Sequence, residues 1–71
     1  MRNKFEKGDI VIVKPEVWLP FKVPNRQGIV RFVYDHEPPA CEVEFYWCGR
    51  SLGEHYLAEV ELQPTMFSKG K

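Results

Sequence analysis

The chain has 71 residues and a formal net charge of zero, with ten basic and ten acidic side chains. A chain of this length forms one small domain, buries only about 60% of the surface that it exposes when unfolded, and has no room for separate catalytic and substrate domains. The balanced charge argues against a dedicated nucleic-acid binder, because such proteins usually carry a basic excess that contacts phosphates.

The charge is nevertheless uneven along the chain. Residues 1–34 hold seven Lys or Arg against three Asp or Glu, and residues 35–71 hold three against seven. This asymmetry suggests one basic and one acidic face. The start of the chain has no signal-peptide pattern, and no apolar run is long enough to span a bilayer. We therefore expect a cytoplasmic protein without membrane insertion.

The first half of the chain predicts two strands separated by a proline-rich loop. Four β-branched residues, Ile10–Val13, follow the turn residues Gly8-Asp9 and indicate the first strand. The loop runs from Pro15 to about Arg26 and begins with PEVWLPFKVP, which has three prolines and five large apolar side chains. The second strand opens at Gln27-Gly28 and runs over residues 29–34.

The second half of the chain predicts three more strands. A hairpin loop over residues 35–40 contains Pro38-Pro39, which cannot lie inside a strand. Residues 41–47 alternate between apolar and polar and indicate the third strand, with Cys41, Val43, Phe45 and Trp47 on its inner face. Residues 52–56 form a fourth strand that a glycine weakens. A 3₁₀ turn over residues 57–60 then leads to a short last strand over residues 61–63.

One register between the second and third strands satisfies both of their faces. It places Tyr34 opposite Cys41, Phe32 opposite Val43 and Val30 opposite Phe45, all pointing inward. The same register places Arg31 opposite Glu44 on the outer face, as a cross-strand pair of opposite charge. A slip by one residue would turn Glu44 into the core.

Four short motifs in this order resemble the SH3-like barrel superfamily: KGDIVIV at residues 7–13, QGIV at 27–30, EVEF at 42–45 and YLAEVELQP at 56–64. The resemblance implies an all-β fold, a small five-stranded SH3-like barrel over residues 5–64. It would have a long proline-rich first loop and a 3₁₀ turn before the last strand. Residues 65–71 are expected to form a flexible C-terminal tail.

Within this superfamily, residues 12–18, IVKPEVW, are similar to the start of photosystem I subunit IV, and residues 55–60, HYLAEV, are similar to its ending. The ferredoxin–thioredoxin reductase variable chain and the barrel domain of the nitrile hydratase β subunit share the same barrel and a comparable ending. The resemblance implies a non-catalytic accessory or adaptor module that docks on a larger protein, such as a redox or photosynthetic complex. The chain departs from photosystem I subunit IV in its longer first loop and in its lack of a basic excess.

The proline-rich loop supplies most of the predicted protein-binding surface. Prolines pre-order a loop and so reduce the entropy lost on docking, and aromatic side chains are typical anchors of interfaces. The loop can also fold over the open end of the barrel, with Trp18 and Phe21 as a lid. We expect two or three of its apolar side chains to pack inward, and the others, with Tyr46 on the outer sheet face, to remain available. The candidate contact residues are Val17, Trp18, Leu19, Phe21 and Tyr46, with Lys14, Lys22 and Arg26 as a basic rim.

Two other kinds of binding stay open at this stage. Lys14, Lys22, Arg26 and Arg31, together with Trp18 and Phe21, would also suit a nucleic-acid or ribosome-associated barrel. Exposed aromatic surfaces would also allow two copies to meet, so the chain is expected to be a monomer or a weak homodimer. A groove for polyproline peptides is less favoured, because the signature of signalling SH3 domains is missing.

The chain has four soft or borderline metal ligands, namely His36, Cys41, Cys48 and His55. Their spacing, H-x4-C-x6-C-x6-H, matches no standard zinc motif, and a buried thiol, a turn thiol and two surface histidines are the favoured interpretation. The two cysteines are too far apart along one strand for a disulfide. No base or oxyanion hole accompanies either thiol. We therefore expect no metal, no cofactor and no catalytic residue.

Overall fold

The computed structural model describes residues 3–65, which form an all-β fold. Every strand pairing is antiparallel, and the strand order in the sheet is β4-β3-β2-β1-β5. The elements are β1 (Ile10–Val13), β2 (Gln27–Tyr34), β3 (Ala40–Trp47), β4 (Arg50–Ala58), the 3₁₀ turn Glu59–Glu61 and β5 (Leu62–Pro64). The predicted fold class, the five strands and the 3₁₀ turn before the last strand are confirmed. The predicted tail, beyond Thr65, lies outside the described residues.

The sheet curves around a single core, although pairing does not close it. A flat sheet of five strands would hold its two edges about 19 Å apart. The edge strands β4 and β5 are joined only by the 3₁₀ turn, so Ala58 and Leu62 lie four residues apart, a reach of at most about 14 Å. The sheet must therefore bend at this end. The buried core contains Phe5, Val11, Val13, Val30, Cys41, Val43, Phe45, Leu57 and Leu62.

The predicted register between β2 and β3 is wrong over its whole length. Phe32 pairs with Glu42 because the hairpin loop is one residue shorter than predicted, with Tyr34 opposite Ala40. A β-bulge at Arg31 shifts the register by one more residue, so Val30 pairs with Val43 rather than with Phe45. A bulge inserts one unpaired residue and so reverses which side chains face inward. Phe32 therefore points outward and is 54% exposed. The predicted Arg31–Glu44 ion pair does form, with 2.8 Å between Nε and Oε1.

The far end of the β3–β4 hairpin extends beyond the core. The last pairing between β2 and β3 is Gly28 with Phe45, whereas Trp47 pairs only with Arg50 of β4. Trp47 was predicted to point inward, but no other strand covers it, and it is 48% exposed. The hairpin turns at Cys48 and Gly49, which both have positive φ, as a two-residue type I′ turn requires.

Candidate functional site

Arg26 holds the proline-rich loop in one shape. Its guanidinium donates hydrogen bonds to the carbonyl oxygens of Val13, Lys14 and Val17, which lie at the start of the loop. A backbone hydrogen bond also joins the two ends of the loop, since the Val13 amide donates to the Arg26 carbonyl at 2.8 Å. Arg26 adopts a φ of 50°, which is unusual for a residue with a side chain. This predicted member of the basic rim therefore has a structural role.

Three of the predicted loop residues pack against the core, and one does not. Val17, Leu19 and Phe21 are partly buried against the core cluster. The Phe21 ring meets Phe45 edge-on, with 5.1 Å between centroids, and lies 5.0 Å from the His55 ring. Trp18, in contrast, is 79% exposed. Three apolar side chains of the loop thus pack inward, as expected, but Trp18 does not form the lid with Phe21.

A groove separates the second half of the loop from the end of β3. One hollow, with a volume of about 520 Å³, is lined by Phe21, Lys22, Val23, Pro24, Arg26 and Trp47. A neighbouring hollow of about 320 Å³ shares Val23, Pro24 and Trp47 with the first and extends to Ile10, Ile29 and Tyr46. Because three residues line both hollows, we treat them as one continuous surface and call it the loop groove.

The structure brings only some of the predicted contact residues together. Phe21, Lys22 and Arg26 line the first hollow and Tyr46 lines the second, while Trp18 and Lys14 line neither. Sequence analysis missed Trp47, which connects the two hollows. The signal was its place next to the Cys48-Gly49 turn, because a side chain at the end of a hairpin can lie beyond the core. The assignment of these residues to protein binding remains a prediction.

A second exposed surface lies on the outer face of β2, β3 and β4. It contains the rings of Phe32, Tyr34, His36 and Tyr56, which we call the outer aromatic cluster. Tyr34 lies at its centre, 4.8 Å from Phe32, 5.4 Å from His36 and 5.3 Å from Tyr56, measured between centroids. The Tyr34 hydroxyl donates to Glu42 at 3.0 Å, and this bond raises the pKa of Tyr34. Sequence analysis placed Phe32 and Tyr34 in the core and so missed this cluster.

The four metal-ligating side chains do not form a site. Within residues 3–65, no three His, Cys, Asp or Glu side chains are arranged to hold a metal ion. His36 belongs to the outer aromatic cluster, and His55 is partly buried and packs against Phe21 and Phe45. Cys41 is buried and Cys48 is exposed, and both are free thiols.

The two thiols are expected to differ sharply in reactivity. Burial raises the pKa of Cys41 to about 11, so little thiolate forms there at neutral pH. We therefore expect iodoacetamide to modify one thiol per folded chain, at Cys48, and both thiols in guanidinium. Intact-mass spectrometry counts the adducts, and the Cys48→Ser variant should gain none when folded. Rapid double modification of the folded chain would contradict the burial of Cys41.

Among residues 3–65, no helix has the length and apolar character needed to cross a bilayer. No protein-family model matches the chain, and neither a curated protein nor a solved structure matches it significantly.

Proposed function

We propose that the curved five-stranded sheet is an SH3-like barrel. Three features support this assignment. The four motifs of the superfamily resemblance fall on β1, β2, β3 and the segment that leads into β5. The long first loop lies between β1 and β2. The 3₁₀ turn joins the two edge strands and bends the sheet around one core.

We further propose that the chain is a non-catalytic protein–protein interaction module that docks through the loop groove. The observation that carries this proposal is the exposure of Trp47 in a groove beside Val23 and Pro24. Burying a large apolar side chain stabilises a protein by about 1.5–3 kcal/mol. A domain with so small a core gains much stability from every such burial. A tryptophan that is left exposed therefore indicates a surface where a partner binds.

The shape of the loop also supports docking. Arg26 fastens the base of the loop, and Phe21 packs on the core. A loop that is already ordered loses less entropy when a partner binds. The partner is a larger protein, and the resemblance to accessory subunits implies that it belongs to a redox or photosynthetic complex.

The alternative is a nucleic-acid or ribosome-associated barrel. Two of the four basic residues that would serve it are engaged within the chain. Arg26 donates to three backbone carbonyls, and Arg31 pairs with Glu44 at 2.8 Å. Their hydrogen bonds are made to acceptors within the chain, which disfavours phosphate contacts. Only Lys14 and Lys22 remain uncommitted, so protein docking is the better-supported function.

Affinity capture from a lysate of the native source tests this function. The wild-type chain should retain a protein after nuclease treatment, and Trp47→Ala should lose it by about 30-fold in affinity, since a central aromatic anchor contributes at least about 2 kcal/mol. Trp18→Ala shows whether the loop tip takes part.

The matched control is Val60→Ala, because Val60 lies on the 3₁₀ turn, away from the groove residues in sequence, and is 71% exposed. Circular dichroism verifies that each variant is folded. If folded Trp47→Ala retains the partner as well as Val60→Ala does, or if nuclease releases everything, the proposal is wrong.

A further inference from the structure

We propose that the outer aromatic cluster, with Glu42 and Glu54, forms a second docking site that binds an arginine side chain presented by a partner polypeptide. This surface is distinct from the loop groove, and its residues line neither of the two hollows. The proposal goes beyond the docking function assigned to the groove and does not depend on it.

The first argument is the alignment of side chains across three strands. Phe32 of β2 pairs with Glu42 of β3, which in turn pairs with Tyr56 of β4. Directly opposed residues point to the same face of an antiparallel sheet. Glu42 therefore lies between two aromatic residues, of which Phe32 is 54% and Tyr56 is 56% exposed. A carboxylate flanked by rings suits a planar cation that stacks on one ring and binds the oxygen.

The second argument is that hydrogen bonds hold the rings before any ligand arrives. His36 Nδ1 lies 2.8 Å from the carbonyl oxygen of Pro38, which can only accept, so Nδ1 carries the proton. In the neutral ring Nε2 then accepts from the Tyr56 hydroxyl at 3.2 Å. Tyr34 donates to Glu42 Oε2 at 3.0 Å. Among residues 3–65, Glu42 Oε1 has no hydrogen-bond partner, so it can accept from a guanidinium.

The third argument is charge. Within the part of the chain that the structure describes, Glu42, Glu44 and Glu54 share this face, and the one ion pair there joins Glu44 to Arg31. Arg31 and the Ser51 hydroxyl each bond one oxygen of Glu44, and these hydrogen bonds lower the pKa of Glu44, the Ser51 bond having the larger effect. Arg31 therefore offsets the charge of Glu44 only in part, and among residues 3–65 neither Glu42 nor Glu54 forms an ion pair.

The pairing of Glu44 with Glu54 strengthens the argument from charge. These two carboxylates are directly opposed across β3 and β4. Like charges in that position destabilise a sheet, and a bound cation would relieve the repulsion. Local features that cost stability are often found at functional sites. An arginine fits better than a lysine, because its guanidinium both stacks on aromatic faces and forms paired hydrogen bonds with a carboxylate.

A peptide titration followed by ¹H–¹⁵N NMR tests the proposal. The probe is an acetylated, amidated Gly-Arg repeat, and the matched control peptide carries citrulline, which is similar in shape but uncharged. The Arg peptide should bind saturably and shift the amide signals of Phe32, Glu42 and Tyr56, and its affinity should fall as salt rises. The citrulline peptide should not bind.

Variants then separate this site from the loop groove. Tyr56→Leu and Glu42→Gln should each weaken binding by about three- to fivefold, as the loss of a cation–π or ionic contact implies. Trp47→Leu, which changes the groove, should leave the affinity unchanged. The titration of the wild-type chain would by itself overturn the proposal if the two peptides bound equally well. It would also do so if the amide signals shifted only in the loop groove. So would sedimentation data in which Tyr56→Leu converts a dimer to a monomer, because a second copy would then cover the face.

Discussion

Gly28→Ala is expected to lower the free energy of unfolding by about 2–3 kcal/mol, the effect of overpacking a filled core. Gly28 lies on β2, and a Cβ atom there would stand 2.5 Å from Val43 Cγ1, 3.0 Å from the Glu44 carbonyl oxygen and 3.1 Å from Phe45 Cε2. The backbone oxygen cannot move without disturbing the β2–β3 pairing. Since small domains are stable by only a few kcal/mol, this loss would leave much of the population unfolded near 37 °C.

Gly49→Ala is the matched control for this variant. Gly49 has a φ of +76°, so alanine would be strained there, but nothing lies within 4 Å of the added Cβ. Its cost should be about 1 kcal/mol, from backbone conformation alone. Urea unfolding followed by circular dichroism measures both variants. A Gly28→Ala protein as stable as wild type would mean that the sheet does not pack against Gly28 as described.

Arg26→Ala is expected to destabilise the protein by about 2–3 kcal/mol and to release the proline-rich loop. The substitution removes the hydrogen bonds to Val13, Lys14 and Val17, and hydrogen bonds to charged groups contribute about 1.5–3 kcal/mol each before the exposed fraction of this side chain is discounted. Hydrogen exchange should accelerate throughout residues 14–26, because these carbonyls no longer hold the start of the loop to its end.

Two further variants serve as controls for Arg26→Ala. Arg26→Lys keeps the charge and the positive φ but cannot donate to three carbonyls in a planar fork, so it should recover less than half of the lost stability. Lys22→Ala changes an exposed residue of the same loop and should stay within about 0.5 kcal/mol of wild type. If hydrogen exchange in the loop were no faster in Arg26→Ala than in Lys22→Ala, Arg26 would not be the residue that fixes the shape of the loop.

The sequence predicts the strands well but assigns the faces of β2 incorrectly beyond the bulge at Arg31. The β3 pattern is unambiguous, because apolar and acidic side chains alternate from Cys41 to Phe45, and all three apolar ones are buried. β2 reads IVRFVY after its glycine, with apolar residues in both phases of the alternation. A regular register and a bulged register therefore bury similar side chains. Only contacts with the rest of the sheet decide that Val33, and not Phe32, faces the core.

The prediction of the candidate sites is limited in the same way, because it also depends on contacts between distant parts of the chain. Sequence reasoning predicts a loop that is partly buried and partly exposed, because proline content and hydrophobicity are local properties, but it places Trp18 in the lid, whereas this side chain is 79% exposed. It cannot place Trp47 in a groove, since that depends on how far the β3–β4 hairpin extends beyond β2. The outer aromatic cluster is missed for a related reason. The bulge at Arg31 turns Phe32 outward, where it joins Tyr34 and Tyr56 from neighbouring strands.

The salt dependence of binding between the purified chain and its captured partner tests the central claim most directly. Isothermal titration at 50 and 200 mM salt should give nearly the same affinity, and Trp47→Ala should weaken it by about 30-fold at both, because an apolar anchor in the loop groove is not screened by ions. If the affinity instead falls on the order of a thousandfold between these salt concentrations, and Trp47→Ala changes little, the chain binds through phosphate contacts. The loop groove would then not be its docking surface.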